Sequence, residues 1–415
     1  MPALLQSNYV AALTEVLLPY IRDNFPKETI LLDQVKRNAG VTRLNDEFIA
    51  PVRTSRHGGV AALANDGNNI VSSSGATTSR GTVSRKINTG AFDISHLAMK
   101  SSEGDLAVKS ALQFQGETLT GDFARSINRQ LYSDGVGVIS EVLGSVNGTE
   151  FSVARPTASL DDGRSIDWYG SINGDIDPIK YFAPNQVIGI GTGGAADGTV
   201  SATTGTSVQL TGGAASAAND AVYIEDGSGA AAGTQEIQGV RLALSSTTGT
   251  STYAGLARST TGWTPQFGSA LEAMTLDRLE QDYINATEYA RKSDKFIILV
   301  NKTLYRKYGA ILTSMRRTVN EADLLGGWKG LEFAAGGNIV GVFLDFDVPD
   351  GEVLTINMDT WTMCQVSDLD WLDGPSMGSL HRLQNTLTYQ AVMVWYSNVL
   401  CLAPGANSRS TRKTA

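Results

Sequence analysis

Apolar residues return every four positions from Leu119 through Phe123 and Ile127 to Leu131. That spacing stacks them on one face of a helix and makes them the candidate packing face of a long helix. Ser102-Glu103-Gly104-Asp105 has the Ser-x-x-Asp pattern of a capping box. Asp134-Gly135 ends the run, because glycine tolerates the left-handed geometry of a helix terminus. The spacing predicts a helix over 103–132, about 45 Å long at roughly 1.5 Å per residue. Gly116 and Gly121 fall inside it. Each costs ~1 kcal/mol relative to alanine, which makes the pair a candidate bend.

The rest of the chain changes period several times. Residues 1–37 read as helical and amphipathic, with Leu13, Val16, Leu17 and Ile21 at helical spacing and interruptions near Pro19 and Pro26. An arm that packs outside its own domain fits this segment; an ordinary first core helix is the alternative. Residues 50–95 carry turn pairs such as Gly58-Gly59 and Asp66-Gly67 and the alternating stretch Thr82–Ile87, which predicts a long two-stranded hairpin with a flexible tip. Between 150 and 240, short β-branched runs such as Ser207–Thr211 and Ala221–Ile224 sit between turn residues. The reading is an inserted all-β module, with a low-complexity linker as the alternative. Helices are then expected over 269–291 and Lys302–Arg316. Strands are expected at Phe296–Val300, Asn338–Leu344, Val353–Ile356 and Tyr389–Leu402. Pro404-Gly405 should stop the last strand and leave a polar, frayed tail over 405–415.

The 415 residues, 42% hydrophobic, are enough for a large core and two or three domains. No apolar run has the roughly 18–20 residues of a membrane-spanning helix, so no membrane partner is expected. Met1-Pro2-Ala3-Leu4-Leu5 lacks the features of a signal peptide. Cys364 and Cys401 are read as free thiols of a cytosolic protein. A net charge of −9 argues against nucleic-acid binding, which draws on Lys and Arg. The charge is also uneven. Residues 181–240 hold no Lys or Arg, whereas Arg53, Arg56, Arg80, Arg85 and Lys86 face the single acid Asp66 over 51–86. These five are candidate subunit-interface residues, basic loop against the acidic surface of another copy. Two solvated surfaces that never meet are the alternative.

Candidate chemistry is thin. Gly189-Ile190-Gly191-Thr192-Gly193-Gly194 matches a dinucleotide pattern, but a turn and strand are expected after it where the pyrophosphate needs a helix N-terminus. Asp161, Asp162, Asp167, Asp175 and Asp177 could hold a divalent cation, but their spacing is not that of an EF-hand, and a solvated acidic loop is the reading taken. His57, His96 and His381 are dispersed and support no zinc site. No nucleophile elbow or Walker loop is present. The expectation is a protein that is not an enzyme, with no catalytic, cofactor-binding or metal-binding residues.

Four segments, in order, resemble the major capsid proteins of tailed bacteriophages with the HK97-like fold. They are Asn128–Gly137, Tyr253–Thr260 with Trp263, Leu325–Phe333 leading to Phe343 and Pro349-Asp350-Gly351, and Trp371–Gly374 with Leu380-His381-Arg382 and Tyr389–Ala406. The resemblance implies an α+β, HK97-like capsid fold. Its parts are an N-terminal arm (1–45), an extended loop (46–98), a peripheral domain with spine helix and long strand (99–149 and 370–404), a β-rich insertion domain (150–240) and an axial domain (241–369), before the tail. It also implies pentamers and hexamers of the chain in an icosahedral virion capsid, assembled in the host cytoplasm around double-stranded DNA that is enclosed without specific binding. Implied partners are a separate scaffolding protein, a portal and a decoration protein. The Lys–Asn cross-link of some relatives is not expected, since residues 51–85 contain no Lys. The alternatives are the shell protein of an encapsulin-like nanocompartment and a β-rich phage surface or adhesin protein.

Overall fold

The computed structural model describes residues 29–55, 57–60, 62, 75–96, 105–135, 137–147, 150–154, 178–190, 196–204, 207–212, 221–224, 236–245, 252–260, 262–291, 294–314, 321–323, 329–335, 338–372, 381–383 and 385–415. The expected arm helix up to residue 28, the hairpin tip over 63–74, the acidic loop 161–177 and Ser102–Gly104 of the capping box lie outside them.

Along the chain, α1 (Ile30–Gln34) is a single turn with Ile30, Leu31 and Leu32 buried. β1 (Lys36–Arg37), β2 (Thr42–Leu44), β3 (Glu47–Arg53), β4 (Thr78–Ser84) and β5 (Lys86–Ser95) follow, then the long helix α2 (Asp105–Tyr132). Six strands come next: β6 (Val138–Asn147), β7 (Glu150–Ala154), β8 (Val187–Ile190), β9 (Ala196–Thr204), β10 (Ser207–Thr211) and β11 (Ala221–Ile224). α3 (Val240–Ala243) leads through β12 (Thr252–Tyr253), β13 (Leu256–Ala257), β14 (Gln266–Gly268) and β15 (Glu272–Ala273) to α4 (Leu276–Thr287), β16 (Phe296–Val300) and α5 (Lys302–Ser314). β17 (Glu321–Asp323), β18 (Lys329–Ala335), β19 (Asn338–Leu344) and β20 (Val353–Asn357) precede β21 (Trp361–Gln365), β22 (Asp370–Trp371) and β23 (His381–Arg382). The 14-residue β24 (Thr388–Cys401) and the short β25 (Ser408–Ser410) and β26 (Lys413–Thr414) complete the order.

β24 organises the sheet beneath the long helix. It runs antiparallel to β5 from Thr388↔Ser95 to Ser397↔Lys86, and to β21 from Trp361↔Cys401 to Gln365↔Ser397. β1 adds to β21 in parallel. The expected extended loop over 46–98 therefore divides. β3 and β4 form the hairpin, with β2 as a third strand, whereas β5 belongs to the β24 sheet. α2 lies on β5 where Gly90 leaves room, since a Cβ there would meet Leu119 at 3.2 Å and Phe123 at 3.4 Å.

The β-rich stretch is a module and not a linker. Its strands close into a barrel in the order β10-β7-β6-β11-β8-β9, around the buried side chains of Phe151, Ile188, Val200, Val208 and Val222. Closure removes the unpaired edges such short strands would otherwise expose. The barrel begins at Val138, ahead of the expected boundary at 150, because β6 pairs with both β7 and β11.

A seven-stranded mixed sheet, β14-β25-β20-β16-β19-β18-β17, forms the other body. β16 runs parallel to β19 and antiparallel to β20. Leu279 and Tyr283 of α4 and Leu304 and Tyr308 of α5 bury against Ile298 and Val300 in a separate core. The tail over 405–415, expected to fray because it is polar, is instead largely buried. β25 is buried along its length and inserted between β14 and β20, and Lys413 is fully buried. Its polarity is matched from inside: Arg409 Nε donates to Glu352 Oε2 at 2.9 Å, and Lys413 Nζ donates to the Ala270 carbonyl at 3.0 Å.

Candidate assembly interface

β3 alternates exposed and buried positions, so the hairpin sheet has two unlike faces. Phe48, Ala50 and Val52, with Val83 of β4, point into the body of the chain. Gly81 keeps that side thin, since a Cβ would meet Val52 at 3.3 Å and Trp263 at 3.7 Å. Trp263 is itself fixed, donating Nε1–H to the Tyr253 carbonyl at 3.1 Å, while Tyr253 Oη accepts from the Cys401 N–H at 3.0 Å. The hairpin base is thus bolted to β24. Its far end stays ordered through Thr54 and Thr77, whose N–H and C=O join at 2.9 Å.

Two of the five basic candidates sit together on the outer face. Arg80 stands opposite Pro51 and Arg53 opposite Thr78, one diagonal step apart, and both are exposed. Arg53 Nε donates to the Ser55 carbonyl at 2.9 Å. Arg85 is turned inward: it pairs with Asp46 at 3.2 Å and covers the Tyr396 ring at 5.6 Å. Lys86 is half-buried beside β24, and burial pulls its ammonium below the usual lysine range. Arg56 lies outside the described residues.

The spine candidates come together. Phe123, Ile127 and Leu131 are buried in the main core and Leu119 packs at its margin. Thr120 Oγ1 donates to the Gly116 carbonyl at 2.6 Å. A Cβ on Gly121 would meet nothing within 4 Å. The helix ends as expected at Gly135, φ +84°, whose N–H donates to Ser133 Oγ at 3.1 Å.

The polar face of the spine was not legible. Arg129, 1% exposed, pairs with Glu236, and Gln130 Oε1 accepts from the Ile237 N–H at 3.1 Å. Both hold the chain returning from the barrel. At Gly239 that return touches the helix, because a Cβ there would overlap the carbonyls of Gln130 and Leu131. On the same last turn of the helix, Tyr132 Oη donates to Asp345 at 2.9 Å, and Asn128 Nδ2 donates to Asp345 at 3.1 Å and to Asp347 at 2.7 Å. Lys180 Nζ and Tyr181 Oη each donate to Asp347 at 2.9 Å. The helix, the mixed sheet and the turn at Pro178–Tyr181 ahead of β8 meet at this node. Burial pushes the Asp345 carboxyl above the usual aspartate range, and the Asp347 charge adds to the rise. Burial also raises the Tyr132 hydroxyl, with Asp345 reinforcing it. No alternation of apolar residues encodes such a cluster.

The remaining candidates do not converge. β8, ending at Ile190, pairs antiparallel with β9, starting at Ala196, so among the described residues the glycine-rich stretch is flanked by strands and not by a helix; residues 191–195 lie outside them. His381 Nε2 meets the Leu372 carbonyl at 2.6 Å, and the His96 ring lies 6.2 Å from that of Tyr389. Cys364 and Cys401 are buried free thiols, each pushed up to about 12 by burial. Among the described residues, no group of three or more His, Cys, Asp or Glu gathers as a metal site.

No protein-family model matches the chain, and no curated protein matches it. Solved structures do. The cyanophage A-1(L) capsid asymmetric unit is similar at a TM-score of 0.51 and 12% identity, over 92% of this chain and 92% of that one. Gordonia phage Cozz gives 0.43 at 12% identity, over 93% and 86%. The capsid of a native GTA particle gives 0.42 at 10% identity, over 92% and 90%. The first likeness carries the fold: this chain has the strand-rich α+β fold of a phage capsid protein.

Proposed function

We propose that this chain is the major capsid protein of a tailed phage. It acts by self-assembly into pentamers and hexamers of an icosahedral virion shell around double-stranded DNA, formed in the host cytoplasm. The observation that supports this reading is the likeness to the cyanophage capsid chain along nearly the whole length of both. In this reading the HK97-like parts take their roles: residues up to 45 are the arm, the β2–β3–β4 sheet is the extended loop, α2 the spine, β24 the long strand beside it, the mixed sheet the axial domain and the barrel an insertion. Pentamer and hexamer rings are head-to-tail contacts, in which different patches of one chain meet. An outward pair of arginines on one projecting element and a barrel stretch free of Lys and Arg suit such a pairing. A separate scaffolding protein, a portal and a decoration protein are the partners this role implies.

Electron microscopy of the purified chain, alone and co-expressed with its neighbouring phage genes, tests the proposal. Closed shells built of pentamers and hexamers are the expected result. A chain that sediments as a monomer in every condition overturns it.

A further inference from the structure

α4 and α5 lie on one face of the mixed sheet, since both bury against Ile298 and Val300. Their outward sides carry opposite charge. On α4, Asp277 and Glu280 are exposed, and so is Glu288 at the C-terminal cap. Arg278, the one base of α4, is engaged elsewhere: Nη2 donates to Ser410 Oγ at 3.0 Å and lies 3.0 Å from Asp282. On α5, Lys302 and Arg306 are exposed and Lys307 is half-buried, and the helix contains no acid. Among the described residues, no ion pair includes Asp277, Glu280, Glu288, Arg306 or Lys307.

Both placements work against the helix that carries them. Asp277 and Glu280 stand three residues apart, where like charges repel. Glu288 sits at a helix C-terminus and Lys302 at an N-terminus, each the end where the helix dipole disfavours its sign. A counter-charge from outside the chain relieves both. An apolar residue marks the same surface as a contact. Ile284, 49% exposed, lies one turn from Glu280 and one from Glu288, so it stands between the two acids on one line of α4. An exposed apolar centre inside a charged rim is the layout of a protein interface. On α5, the position one turn beyond Arg306 is Ala310, also exposed, and a Cβ on the neighbouring Gly309 would meet nothing within 4 Å. The basic face therefore runs into a low surface with room for Ile284.

We propose that the acidic face of α4 docks on the basic face of α5 in a second copy of this chain, with Ile284 over Gly309 and Ala310. Charge complementarity selects that partner, because one chain carries both halves of the pair. The two faces differ, so the contact is head-to-tail and each copy offers one of each to a ring. The inference rests on the shell reading and adds a helix-to-helix contact to the hairpin pairing.

Charge reversal in the full-length chain is the test, with shells read by electron microscopy under the conditions that assemble the wild type. Glu280→Arg with Glu288→Arg turns the α4 face basic, and Arg306→Glu with Lys307→Glu turns the α5 face acidic. Each variant should keep its circular dichroism and lose closed shells. All four substitutions in one chain swap the two faces and should restore shells. Mixed in equal amounts, the two reversed variants should alternate in rings of even number and form no pentamers, since an odd ring must place like faces together. Normal shells from either reversed variant overturn the inference and leave the shell reading standing. So does a swapped chain or a mixture that stays monomeric, or a reversed chain that unfolds, because the faces would then serve the single chain. A wild type that stays monomeric in every condition overturns the shell reading itself, and this contact with it.

Discussion

Arg409 and Glu352, with side chains 1% and 5% exposed, form an ion pair deep in the mixed sheet. Removing one partner strands the other charge, which costs about 3–5 kcal/mol. Glu352→Leu should therefore lower the urea midpoint sharply, and adding Arg409→Met should restore much of the loss. A double variant as weak as the single one would show that geometry and not charge was at stake. Asp345 makes a different prediction. Its folded-state pKa is raised, so the proton is held more tightly in the folded chain than in the unfolded one. That contribution to stability is complete below the ordinary aspartate range and is lost as pH rises through the raised value. Stability from this group should fall upward from about pH 4. Asp345→Asn should flatten that part of a plot of urea midpoint against pH.

At the scale of elements, two glycines on the spine side predict opposite outcomes. Gly121→Ala adds a methyl into open space and removes a weak helix former, so the subunit should gain up to ~1 kcal/mol in melting experiments. If the spine bends around Gly116 and Gly121, where Thr120 already bonds back to the Gly116 carbonyl, the same variant should close fewer shells. Equal shell yield by microscopy would remove the bend proposal. Gly239→Ala forces the barrel return off the helix carbonyls and should cost at least ~1–3 kcal/mol. The sequence made some elements plain and hid others for one physical reason. β16, β19 and β20 advertise themselves as continuous apolar runs, and α2 by its four-residue repeat, because their burial is apolar. β25 is buried with equal completeness, but Arg409 bonds to Glu352 and Ser410 to Arg278, far away in the chain, and periodicity is blind to such partners. The same blindness hid the Arg129–Glu236 pair and grouped Arg85 with the outward arginines, when Asp46 holds it.

For the whole molecule, the proposed assembly makes the hairpin face the place to test folding and assembly apart. Arg53→Glu with Arg80→Glu changes two exposed side chains and should leave the melting temperature in place while abolishing shells by sedimentation. Normal shells from that variant would retire the basic face as an interface. Arg85→Glu should behave in the reverse sense, lowering stability by placing two acids together. The β24 sheet finally joins strands made at very different times. β1 pairs with β21 and β5 with β24, partners about 300 residues later in the chain. At ~5–20 residues per second, a ribosome takes roughly 15–60 s to deliver them. Until then the hairpin has no β24 beneath its base. The hairpin therefore has to wait for that later stretch before its buried side can settle on the body of the chain.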